Sequence, residues 1–135
     1  MSPGRDPLAW QGEHLTNVSG RRLAFAVAAR HNGTGADVLI HEVASVRPEI
    51  ASEPAVARVM AHHTSPEEAG KVFTRAHPRL AVYTHFTLLS RPNVAPITLQ
   101  ELVDQTRETY IGPLEVGRDL MVIDVPGARV SKTPE

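Results

Sequence analysis

The stretch Ala36-Asp37-Val38-Leu39-Ile40-His41-Glu42-Val43 decides how this chain folds. Four of its eight residues are aliphatic, β-branched types prominent among them, and the run opens directly after the turn residues Asn32-Gly33-Thr34-Gly35. A short apolar run of this kind reads as a buried, central strand. It delivers His41 and Glu42 at its carboxyl end, where α/β proteins place their chemistry. Leu80-Ala81-Val82-Tyr83-Thr84 repeats the pattern as a second buried strand, with His85 at its end.

Between and around these strands the signals alternate. Leu8 to Val18 reads as two short strands about a turn at Gln11-Gly12, and the Ala/Leu/Phe/Val pattern from Arg22 to Arg30 predicts a helix that Gly33 or Gly35 caps. Pro54 to Met60 is a short helix. Ser65-Pro66-Glu67-Glu68 is a capping box with proline at the first helical position, and Ala69, Val72, Phe73 and Ala76 follow at helical spacing until Pro78. Thr98-Leu99-Gln100-Glu101 opens another helix running to about Tyr110. Leu114-Glu115-Val116 and Leu120 to Val125 predict a closing hairpin through Gly117-Arg118-Asp119, with a frayed tail after Pro126. Alternating strands and helices give an α/β class in one domain over 1–135, with residues 1–7 and 127–135 loose.

Composition narrows the function. In 135 residues, 41% are hydrophobic and 21% charged, enough for a packed core. The net charge of -1 argues against a dedicated nucleic-acid-binding domain, so no DNA partner is expected. No apolar run is long enough to span a membrane, and the first residues lack a secretory pattern. There is no cysteine, so a cytoplasmic home is the default expectation, and any transition-metal site must use His, Asp and Glu. Seven histidines is a high count for this length.

Three places put polar groups beside apolar runs: His41-Glu42, His62-His63-Thr64-Ser65 and Thr84-His85-Phe86. Each falls where side chains emerge at the rim of a packed layer, the usual setting of catalytic and metal-binding groups. A single histidine at a strand end is ordinarily structural or solvated; three such places together argue for a shared site. His14, His31 and His77 fall in loops or helix ends and read as solvated.

These three segments, in this order, resemble the second half of the ribonuclease Z-type metallo-β-lactamase fold, in the ribonuclease Z/arylsulfatase-like branch. His41-Glu42 resembles that family's "HEAT" loop, His63-Thr64-Ser65 its "HST" loop opening a helix, and Thr84-His85-Phe86 its terminal "THF". The 22 positions between His63 and His85 are similar to the family interval. The stretch Thr106 to Met121 is similar to the C-terminal region of bacterial metal-dependent hydrolases, and the resemblance runs from about Trp10 to Val125. It implies the C-terminal half of an αβ/βα sandwich. It implies that His85 is a direct zinc ligand, His63 the proton donor to the leaving group or the group steadying the charged transition state, and Glu42 the carboxylate orienting the His63 ring. Two zincs about 3.5 Å apart would activate a bridging hydroxide and clamp a phosphoryl or acyl oxygen. His62 is ambiguous; the Glu-Ala pair downstream favours His63.

The chain departs from that pattern in its metal ligands. It contains no His-x-His-x-Asp-His string, and no counterpart of a further inter-half histidine. In Val18-Ser19-Gly20-Arg21-Arg22, Arg21 stands where the family's metal-bridging aspartate belongs. A guanidinium is always charged and cannot ligate, so it opposes the binding of dications. The expectation is a truncated or partial hydrolase acting on phosphodiesters, sulfate esters or related esters, with a small-molecule ester or RNA as substrate, and weakly active or inactive alone. Half of a sandwich would bare one sheet face, which implies a homodimer or a missing N-terminal half. The alternative is a non-catalytic interaction or dimerisation module derived from that fold. A third reading, an unrelated α/β domain with incidental histidines, predicts that His63 and His85 lie too far apart to share a site.

Overall fold

The computed structural model describes residues 36–131 and, before them, the strands β1 (His14–Thr16) and β2 (Arg22–Ala26). The rest follows as β3 (Val38–Ser45), α1 (Pro48–Ala51), α2 (Pro54–Met60), α3 (Pro66–Ala76), β4 (Leu80–Leu88), α4 (Leu99–Arg107), β5 (Leu114–Val116), β6 (Val122–Asp124) and β7 (Arg129–Ser131). Residues 1–7, the turn at Gln11-Gly12, the cap at Asn32 to Gly35, and Arg21 and His31 lie outside the described residues.

Five strands form one sheet in the order β1-β2-β3-β4-β5. β3 is its centre; β2, β3, β4 and β5 run parallel to one another, and β1 pairs antiparallel with β2. The aliphatic run of β3 explains this position, because a strand covered on both faces needs apolar side chains at odd and even positions alike. Leu39 and Val43 join Ala69, Val72, Phe73, Ala81, Tyr83 and Leu102 in the main core, under α3 and α4. Val38, Leu80 and Val82 face the other way.

The helices end where local chemistry directs. Ser65 accepts from the Glu68 amide at the start of α3, and His77, left-handed at φ 51°, closes its end. Thr98 and Glu101 form the full reciprocal capping box of α4, and the Glu101 carboxylate also receives both ends of the Arg47 guanidinium, at 2.7 and 2.9 Å. Gly70 lets the two helices close up. A Cβ there would lie 2.0 Å from Thr109 Oγ1 and 2.9 Å from the Thr106 carbonyl oxygen.

Several expectations are corrected. Arg22–Ala26 is a strand, not the start of a helix, because backbone pairing with β3 (Leu23 opposite Val38, Ala26 opposite His41) overrides the weak helix preference of its alanines. The closing hairpin does not form. β5 joins the main sheet beside β4, and β6 pairs instead with β7. The stretch after Pro126 is therefore not all loose, since Arg129–Ser131 is a strand. Nor is the second face of the sheet wholly bare. Met121, Ile123, Val125 and Ala128 pack over Val38, Leu80 and Val82, leaving Val122 and Leu120 exposed. Both buried strands also run on past their histidines, β3 to Ser45 and β4 to Leu88.

Candidate functional site

The described pairing of β2 with β3 reaches His41. Beyond that point the loop between α2 and α3 lies against β3. The Ala44 amide donates to the Thr64 carbonyl at 2.8 Å, and the Thr64 amide donates to Glu42 Oε1 at 2.8 Å. The other oxygen of the same carboxylate, Oε2, lies 3.0 Å from His63 Nδ1. A carboxylate only accepts, so Nδ1 carries the hydrogen, and His63 Nε2 is left for other work. Glu42 is 2% exposed, and both its oxygens are committed to holding this loop.

His85 reaches the same place by a different device. Glu42 pairs with Thr84 and Val43 pairs with Phe86, so His85 is the extra residue of a β-bulge. Its φ of 49° is left-handed, a region that disfavours a side chain. The bulge resolves a conflict between core and site. Regular alternation would put residue 85 on the face of Tyr83, under the helices. With one residue skipped, Phe86 takes that place against the main core, and His85 is left exposed. Its ring stacks on His63, with centroids 6.0 Å apart and planes 23° from parallel. Beside it opens a cleft of about 290 Å³, walled by Thr84, His85, Arg118 and Asp119 over Ile40 and Met121.

The structure thus brings together Glu42, His63 and His85, and the wide separation expected of incidental histidines is absent. His41 does not join them. It points to the opposite face of β3, fully buried, edge-on to Phe73 at 5.7 Å, with Nδ1 donating to the Glu42 carbonyl. Burial pushes its pKa down, against the smaller upward pull of its hydrogen bond to the Glu42 carbonyl and of the Glu42 charge. His62 is exposed beside the site without a hydrogen bond into it, and His77 is an exposed helix cap. Sequence reasoning missed Thr64, whose backbone staples the His63 loop to β3. The only signal was its place inside the His-Thr-Ser string.

Among the described residues there is no group of three or more His, Asp or Glu side chains placed to hold a metal ion. The Glu42 oxygens are already engaged, which leaves two imidazoles. A tight catalytic zinc wants about three protein ligands. The described residues therefore do not fit a zinc centre by themselves.

No protein-family model matches the sequence, and no curated protein matches it. Solved structures do. The metallo-β-lactamase fold protein YhfI from Bacillus subtilis aligns at a TM-score of 0.53 and 16% identity, over 76% of this chain and 39% of that one. A long-form ribonuclease Z from yeast aligns at 0.48 and 18%, over 78% of this chain and 14% of that one. The first likeness carries the fold. The chain has a metallo-β-lactamase-type α/β architecture, and it spans about two fifths of the length of the matched YhfI chain.

Proposed function

We propose that this chain supplies the C-terminal, proton-handling part of a metal-dependent hydrolase, in the ribonuclease Z/arylsulfatase-like branch, acting on phosphodiesters, sulfate esters or related esters. One observation carries the reading: an imidazole oriented by a buried carboxylate stacks on a second imidazole that a bulge turns out of the core. In this role His63 acts as the imidazolium: it keeps its Nδ1 hydrogen on Glu42 and gives the proton of Nε2 to the departing oxygen, ending as the neutral ring. Glu42 holds the ring and its tautomer, and so fixes where that proton is delivered. His85 would be one ligand of a zinc whose other ligands come from outside the described residues, through an N-terminal half or a second polypeptide. The bound zinc would polarise the ester.

The test is a zinc titration of the isotope-labelled chain, read by NMR at the histidine rings, with hydrolysis of bis(p-nitrophenyl) phosphate and p-nitrophenyl sulfate measured at the highest zinc. Weak binding is expected at the rings of His63 and His85, with slow turnover above the zinc-buffer blank that His63→Ala and His85→Ala each abolish. Two zincs retained through dialysis would overturn the partial-site reading. No zinc perturbation at either ring, or turnover indifferent to both substitutions, would overturn the hydrolytic one and favour a non-catalytic interaction module.

A further inference from the structure

Gly117 stands one residue past β5 and has no part in the reading above. Its amide donates to the Tyr83 carbonyl at 2.8 Å, adding one rung to the β4–β5 ladder after Val116. Tyr83 is the second residue before the bulge. Gly117 does not occupy the left-handed region, so its requirement is space. A Cβ there would lie 2.3 Å from the Tyr83 carbonyl oxygen and 3.9 Å from the Thr84 Cα. Both neighbours are backbone, so no side chain can swing aside to make room.

We infer that Gly117 is a positioning residue for His85: its bare Cα lets β5 close onto the Tyr83 carbonyl and anchors β4 immediately before the bulge that presents the imidazole to His63. On the other edge, β3 fixes the chain at Thr84 and again at Phe86. From within the core, the Tyr83 hydroxyl meets Thr106 Oγ1 at 2.8 Å. Between these anchors only His85 is free to take the left-handed turn. A methyl at position 117 forces β5 and Tyr83 apart by roughly 1 Å to reach ordinary contact. The shift passes through one residue to His85. The catalytic meaning of this rests on the hydrolytic reading; the geometry does not.

The experiment uses the full chain and its Gly117→Ala and Gly112→Ala variants. Gly112 is a control near the other end of β5, where a Cβ would come as close, 2.4 Å, but to the Tyr110 hydroxyl, the end of a side chain rather than backbone. In the unaltered chain the Gly117 amide exchanges with solvent as slowly as the β4 amides, and the rings of His63 and His85 show a mutual NOE. Gly117→Ala loses that NOE and shifts the His85 ring resonances; Gly112→Ala keeps both. Where zinc-dependent turnover is measurable, Gly117→Ala lowers kcat about 10-fold or more with KM little changed. Retention of the ring contact in Gly117→Ala overturns the inference, as does a freely exchanging Gly117 amide in the unaltered chain. The exchange result decides the matter alone if the variant does not fold. A lost ring contact in Gly117→Ala, together with no zinc perturbation of either ring in the unaltered chain, sinks the hydrolytic reading and leaves the positioning role standing.

Discussion

Replacing Glu42 by glutamine tests the centre of the site without changing its shape. The carboxylate is 2% exposed and accepts two hydrogen bonds, from the Thr64 amide and from His63 Nδ1. In the amide, one oxygen remains to accept from Thr64. The NH2 then faces the Nδ1–H of His63, donor against donor. The ring can relieve this by moving its proton to Nε2. Hydrogen bonds to a charged group are worth about 1.5–3 kcal/mol and neutral ones about 1 kcal/mol, so Glu42→Gln should destabilise by about 1–2 kcal/mol. Glu42→Ala leaves the buried Thr64 amide without a partner and opens a small void, and should cost about 2–4 kcal/mol. Urea denaturation followed by circular dichroism gives the stabilities, and long-range nitrogen–proton correlation at the imidazole gives the tautomer. A Glu42→Gln chain whose His63 still carries its proton on Nδ1 refutes the account. So does a Glu42→Ala chain within about 0.5 kcal/mol of the parent, because a carboxylate holding a buried amide cannot be removed that cheaply.

Two further outcomes follow from packing and burial. Gly70→Ala should destabilise by about 1–3 kcal/mol in chemical denaturation, since the clash with Thr109 and the Thr106 carbonyl outweighs the helix propensity that alanine gains. Because the folded protein holds the His41 pKa below its unfolded value, the unfolded chain takes up a proton that the folded one refuses as pH falls below about 6.5. Stability should therefore decline on acidification through that window, down to the depressed folded value, by up to about 1.4 kcal/mol per pH unit from this residue. His41→Leu should flatten the decline, and identical slopes in the two chains would disprove the assignment.

The central architecture was legible because burial on two faces leaves a plain mark. Val38-Leu39-Ile40 and Leu80-Ala81-Val82-Tyr83 are apolar at consecutive positions, and they open the two strands at the heart of the sheet. The third helix was equally legible, since Ser65, Pro66 and the spacing of Ala69, Val72, Phe73 and Ala76 state its start and its inward face. The errors fall where long-range pairing decides. Leu23-Ala24-Phe25 suits a helix or a strand by local preference, and only β3 beside it settles the matter. Leu114-Glu115-Val116 and the following Gly117 suit a hairpin equally well, until the free edge of β4 takes the strand and the glycine closes on Tyr83. Glu42, His63 and His85 could be named from their order in the sequence. Thr64 and Gly117 could not, because they act through backbone groups that no side-chain pattern reports.

The bulge at His85 is the clearest case of a feature hidden from the sequence, and it separates what the fold needs from what the site needs. Thr84 and Phe86 already pair with consecutive residues of β3, Glu42 and Val43. Removing residue 85 altogether would join two positions whose partners are adjacent, and Phe86 would keep its place against the main core. A non-glycine residue in the left-handed region carries about 1 kcal/mol of strain, which the deletion relieves. The chain lacking His85 should therefore fold with the same urea midpoint or a higher one, within about 1 kcal/mol of the parent, although most single-residue deletions from a central strand flip every side chain beyond them to the wrong face. Zinc should no longer perturb the His63 ring as it does in the parent chain. A deletion that unfolds the protein would mean that the bulge holds the sheet together. A deletion that leaves the sheet intact means that β4 accepts a strained, unpaired residue for the sake of the imidazole it presents.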